Sequence, residues 1–123
     1  RSTQPVEVMQ LSARLRDPVF TRILLVTLPE ATPVHEAAAL QADLRRAHIE
    51  PFAWVINQSL RGSGSCDPLL RRREAAEHRY LTEVVEKHAR RTAWLPWQPE
   101  EPVGPAALAR LAASHLQPGR SLP

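Results

Sequence analysis

Two apolar runs of strand length, "TRILLVTL" at 21–28 and "FAWVIN" at 52–57, stand on either side of one helix-length segment. That spacing leaves few folds open, because two strands joined through a helix pair in parallel with a right-handed crossover. The unbroken apolar character of Thr21–Leu28 is that of a strand covered on both faces. Between the runs, Thr32-Pro33 supplies a helix cap and a first-turn proline, and Glu36 is favourably placed for the helix dipole. This helix runs to about Ala47, with Ala37, Leu40, Leu44 and Ala47 on one face. The pattern then repeats. After the loop Gln58–Cys66, Asp67-Pro68 caps a long helix to about Ala89, with Leu69, Ala76, Tyr80, Val84 and His88 on its apolar face. A third strand, Thr92–Leu95, leads into "PWQPEEPVGP", and Pro105 opens a last helix with Leu108, Leu111 and Ala112 facing in. A short amphipathic helix, Pro5–Arg16 with Val8, Leu11 and Leu15 aligned, precedes the first strand, and the tail from Gln117 to Pro123 reads as frayed. The expected architecture is a single α/β domain over residues 1–123, three-layered around a mostly parallel sheet with at least one open edge.

Composition narrows the chemistry. Hydrophobic residues make up 43% of the 123 but aromatics only 5%, so the core is built mainly of Leu, Val and Ala, with Trp54 in packing. No apolar run approaches the length needed to span a bilayer, and "RSTQ" at the start is not a secretory signal. One cysteine, Cys66, excludes an internal disulfide and suits a reducing cytoplasm. The net charge is +3, and Lys87 is the single lysine among 16 basic residues. The arginines are dispersed. Their densest run, Arg71-Arg72-Arg73, is followed by Glu74 and Glu77 at helical pairing distance, a solvated helix face rather than a nucleic-acid stripe.

In a parallel sheet, ligands bind beyond the carboxyl ends of the strands. Here those ends are Pro29-Glu30, Asn57-Gln58 and Pro96-Trp97-Gln98. The stretch "AWVINQSL" delivers an amide pair to that rim, where a carboxamide either caps the strand and satisfies loop amides or meets a ligand with a matching hydrogen-bonding edge. No Gly-x-Gly-x-x-Gly and no Gly-rich loop ending in Gly-Lys-Ser/Thr is present, and Lys87 sits inside "VVEKHA". A phosphate cradle of the usual kind is therefore missing from these residues. The histidines 35, 48, 78, 88 and 115 share no ligand spacing with Cys66, and no Ser-His-Asp or paired-carboxylate set can be assembled.

The blocks "VTLPEATPVHEA" and "WVINQSL", followed by "DPLL" and "LPWQPEEPVG", resemble the C-terminal part of the arsenical pump-driving (arsenite-translocating) ATPase family, over nearly the whole chain from Leu15 to Leu111. The resemblance implies a P-loop NTPase-like fold whose phosphate-binding loop lies upstream of Arg1. On that basis the fragment alone is not catalytic and holds no cofactor tightly, whereas the parent uses ATP with Mg2+ to drive arsenite extrusion. The implied partners are the upstream ATPase region and a membrane arsenite efflux carrier, which places the parent in the cytoplasm, peripheral to the inner membrane. The fragment itself is expected to self-associate through its open edge.

Carried onto this sequence, the family pattern implies that Asn57 hydrogen-bonds adenine and that Pro96, Trp97 and Gln98 wall the base. Glu101 lies in the same segment, and Glu30 reaches the nucleotide of a composite interface. Each residue also has a plain structural reading: Asn57 as a strand cap, Pro96-Trp97 as a rigid connection, and Glu30 as a loop carboxylate near a helix dipole. The Cys-x-x-Cys zinc pair that eukaryotic members carry in the loop after the amide pair is reduced here to Cys66, so no metal site is expected. Two other readings compete: a non-enzymatic α/β binding or interaction module, and an ATPase of the same superfamily that targets tail-anchored proteins.

Overall fold

The computed structural model describes residues 6–115; the expected tail from Gln117 lies outside them. Three strands form one parallel sheet in the order β1-β2-β3, with β1 at Leu24–Thr27, β2 at Ala53–Ser59 and β3 at Thr92–Pro96. Helix α2 (Ala31–Arg46) connects β1 to β2, and α3 (Pro68–Glu83) connects β2 to β3 through a π-helical turn at Val84–His88. Helices α1 (Val6–Arg16) and α4 (Pro105–His115) flank this unit. The α/β fold with a parallel sheet is the one the apolar runs predict.

Two crossovers of the same hand, taken in sequence order, put both connecting helices on one face of the sheet. The core forms there, from Leu25, Trp54 and Ile56 on the strands and Val34, Ala37, Leu81 and Val84 on the helical segments. Strand β1 consequently alternates. Leu25 and Thr27 are buried, whereas Leu24 and Val26 are 51% and 62% exposed on the other face. The expectation that this run is covered on both faces is not met by the described residues, because both crossover helices share one side. Helix α1 buries none of its residues, and Val8, Leu11 and Leu15 stay exposed. Leu108 of α4 is likewise exposed rather than facing in.

Helix boundaries depart from the sequence reading in two places. Helix α2 starts at Ala31, and its first backbone bond runs from Val34 N to the Glu30 carbonyl. Thr32 and Pro33 thus lie inside the first turn instead of capping it; proline is tolerated there because first-turn N–H groups have no helical partner. By contrast, Asp67 caps α3 as expected, its Oδ1 accepting from Leu69 N (2.7 Å) and Leu70 N (3.2 Å). The expected unbroken helix to Ala89 instead ends in the π turn, closed by Ala89 N donating to the Val84 carbonyl at 2.8 Å.

The buried helix faces are also rotated. On α2 they are Val34, Ala37 and Gln41, not Leu40, because the buried Trp54 indole needs an acceptor. Trp54 Nε1 donates to Gln41 Oε1 (2.8 Å), and Gln41 Nε2 donates to the His88 carbonyl (3.1 Å). The His88 ring stacks on Trp54 with centroids 5.4 Å apart. On α3 the inward stripe is Leu70, Glu74, Glu77, Leu81 and Val84, spaced by four and three, while Leu69 is 66% exposed.

Candidate functional site

At the carboxyl ends of the strands, β2 carries one extra residue relative to β3. Ile56 pairs with Trp94 and Ser59 with Pro96, so three steps along β2 match two along β3. Gln58 absorbs the difference in the left-handed region at φ 55°, an uncommon conformation for a residue with a side chain. The bulge reverses the alternation of β2 and returns Ser59 to the helix side, where it is buried.

Ser59 then becomes a junction. Its hydroxyl donates to Glu77 Oε2 (2.9 Å) and accepts from Arg61 N (3.2 Å), and its carbonyl accepts from Trp97 N (2.8 Å). The next amide, Leu60 N, donates to both carboxylate oxygens of Glu77 at 3.1 and 3.0 Å. One turn earlier on α3, Glu74 Oε1 accepts from Gly62 N at 2.9 Å. Gly62 has φ +74°, which lets the loop turn back toward α3. The sequence expectation that Glu74 and Glu77 pair with the arginine run along a solvated face is corrected here. Both turn to the loop, because its backbone donors lack strand partners beyond the bulge.

Burial pushes the Glu77 carboxyl above the ordinary carboxylate range, even though the Ser59 hydroxyl and the Leu60 amide pull it down. Neighbouring Glu74 pushes it further up and Arg73 opposes this.

Beside this junction lies a cleft of about 270 Å³ lined by Glu30, Gln58, Leu60, Arg73, Glu77 and Trp97, among others. Its volume lies just below the range typical of small-molecule pockets. Arg73 reaches Glu30 across it at 3.7 Å, with both side chains largely exposed, so this ion pair is weak.

The residues singled out from sequence are distributed as follows. Glu30 and Trp97 line the cleft. Pro96 ends β3 against Ser59, and Gln98 Nε2 folds back onto the Pro96 carbonyl at 3.0 Å. Asn57 is half-buried at the bulge, and its neighbour Gln58 is the amide that lines the cleft. Glu101 lies apart from them, in an open groove shared with Gln98 and Arg110. The sequence places Gln58 at this rim without a role of its own, and Arg73 and Glu77 were not anticipated; the available signal for Glu77 was a charged residue on the stripe of Leu70, Leu81 and Val84. Cys66 is exposed, and the described residues contain no group of three metal-ligating side chains. No described helix is long and apolar enough to cross a membrane.

Comparison with known proteins agrees with this architecture. Residues 2–117 match the family model described as anion-transporting ATPase. The chain is 50% identical over 98 residues to an arsenical pump-driving ATPase of Escherichia coli and 48% identical over 98 residues to that of Acidiphilium multivorum. Each alignment covers 80% of this chain and 17% of the relative, so the chain spans about one sixth of their length. It is also 31% identical over 117 residues to ATPase ARSA2 of Chlamydomonas reinhardtii, covering 90% of the chain and 31% of that protein. With the family model matching nearly the entire chain, the protein belongs to the anion-transporting ATPase family.

Proposed function

We propose that this chain is the base-recognising part of an ATPase that couples ATP hydrolysis to arsenite efflux through a membrane carrier. The observation that carries the reading is the 2.8 Å bond from Trp97 N to the Ser59 carbonyl. It ties together the two strand ends that carry Asn57 and Pro96-Trp97-Gln98, the residues that the family pattern assigns to adenine. A carboxamide and an indole suit a purine: Gln58 and Trp97 line the cleft with Asn57 beside it at the bulge, a carboxamide presents donor and acceptor together, and an indole stacks on a base. The residues fit the base and not the triphosphate. Arg73 is the cation of the cleft and is already engaged by Glu30. In this reading, phosphate and Mg2+ are held by other parts of the ATPase, which also cover Leu24 and Val26. ATP bound with Mg2+ supplies the phosphoryl chemistry, and the residues described here orient the nucleotide through its base. Glu30 meets the nucleotide side of a composite interface, and Glu101 belongs to the same segment as the base wall. The whole protein works at the cytoplasmic face of the membrane that holds its carrier.

The test is Asn57→Ala in the full-length protein. Losing hydrogen bonds to a buried partner costs about 1–3 kcal/mol, roughly one to two decades of ATP affinity, with GTP affected less. Turnover at saturating ATP changes little, because the phosphate chemistry lies elsewhere. A lower melting temperature with an unchanged ATP/GTP preference makes Asn57 a strand cap and removes this reading.

A further inference from the structure

We infer that Glu77 is a positioning residue for base recognition: through Ser59 it holds the two strand ends that frame the cleft as one unit. The inference rests on the proposed reading of this rim as the adenine side of the site. Three segments meet at Ser59. Glu77 on α3 accepts from its hydroxyl (2.9 Å), the loop amide of Arg61 donates to the same hydroxyl (3.2 Å), and Trp97 after β3 donates to its carbonyl (2.8 Å).

The geometry shows why a carboxylate occupies this position. Ser59, paired with Pro96, is the last residue of β2, so the next amide, Leu60 N, lies beyond the ladder and, like the buried Ser59 Oγ, needs an acceptor inside the fold. A carboxylate is acceptor-only and offers two oxygens, and Glu77 uses both: Oε2 for Ser59, and both oxygens for Leu60 N at 3.1 and 3.0 Å. Fixing Ser59 and Leu60 fixes the left-handed Gln58 immediately before them, and with it the direction in which the Asn57-Gln58 amides leave the sheet. The Ser59 carbonyl carries the same constraint to the Trp97 amide on the other strand end. Glu77 lies in the wall of the cleft but serves the ligand through the rim it holds.

Glu77→Ala, Glu77→Gln, Ser59→Ala and Asn57→Ala in the full-length protein test this, with the KM for ATP and for GTP, kcat, and backbone amide exchange as readouts. Glu77→Ala should raise the KM for ATP about tenfold, the loss expected for one such buried interaction, and narrow the ATP/GTP preference while kcat changes far less. Exchange at the Leu60 and Trp97 amides should accelerate more than at Leu25 in β1, since Trp97 is reached only through Ser59. Glu77→Gln keeps the shape and one acceptor oxygen and should recover most of the preference. If Glu77→Ala does not fold, Ser59→Ala, which leaves the Leu60 bonds in place, should give the same changes in smaller measure. A changed preference in Asn57→Ala with none in the Glu77 and Ser59 variants overturns the positioning role alone. An unchanged preference in Asn57→Ala overturns the base reading and this inference with it. Uniform acceleration of exchange without a KM split reduces Glu77 to a stabilising residue.

Discussion

The two ends of β2 are both fastened to helices by polar side chains, but with different chemistry. At the amino end, Trp54 is 1% exposed and its indole donates to Gln41, which donates in turn to the His88 carbonyl. Every partner in that chain is neutral and paired, and the surroundings are Leu25, Val34, Ala37 and Val84. At the carboxyl end, Ser59 and Leu60 are held by an ionisable group beside a cleft. A closed network of neutral donors and acceptors gives shape. A carboxylate network at the edge of a cavity gives shape while keeping a titratable group and free volume where a ligand can enter. The amino end serves architecture, and the carboxyl end is where recognition is possible.

Trp54→Ala should break the comparison most severely. It removes the largest core side chain and strands the Gln41 carboxamide, and aromatic-to-alanine changes at such sites cost about 3–5 kcal/mol. A denaturant midpoint shift corresponding to less than about 1 kcal/mol would mean the amino end is not the anchor of the fold.

The pH dependence sharpens the contrast. The Glu77 pKa is raised in the folded state, so the fold binds that proton more tightly than the unfolded chain does. Its contribution to stability is fully present below the ordinary carboxylate range and is lost as pH rises through the raised value, flattening above it. Within that window the slope is at most about 1.4 kcal/mol per pH unit, and Glu77→Gln should abolish it. Urea melts of both proteins across this range decide the matter; wild-type stability that rises relative to the variant would show the donors outweighing burial.

The smallest effect belongs to Glu50, just ahead of β2. Arg45 donates to it through both Nε (2.9 Å) and Nη2 (2.8 Å), and this hydrogen bonding holds the carboxyl below its ordinary range. The sign is therefore opposite to that of Glu77. This contribution is present above the ordinary carboxylate range and is lost as pH falls through the lowered value. Both side chains are more than 40% exposed, so screening limits Glu50→Gln to about 0.5 kcal/mol or less at neutral pH. A loss well above 1 kcal/mol in the same melts would place a structural anchor at an exposed pair.

Much of this was legible from local patterns. The apolar runs predict β1, β2 and the interval that makes them parallel, and Asp67-Pro68 marks the start of α3 by a cap that needs only its own next residues. The family blocks "VTLPEATPVHEA" and "WVINQSL" are contiguous, so similarity is readable before any folding is considered. Apolar counting, however, places Leu69 and Ala76 on the buried face of α3 and leaves Glu77 in solvent. The same counting selects Leu40 over Gln41 on α2. Both errors have one cause: each buried polar residue is there to satisfy a donor from another element, Ser59 and Leu60 in one case and the Trp54 indole in the other.

The sequence by itself determined the order of elements, the parallel pairing and the family, because these depend on periodicity, cap chemistry and contiguous similarity along the chain. Only the tertiary structure decided which side chains form the site. The Gln58 bulge exists because β2 and β3 differ by one residue between Ile56 and Ser59, a mismatch set by their pairing. That mismatch turns Ser59 inward, brings Glu77 to it, and joins it to Trp97 nearly forty residues further on. Hydrogen-bond partners so far apart in the chain are chosen by the geometry of the packed sheet and helix, and no local pattern encodes that choice.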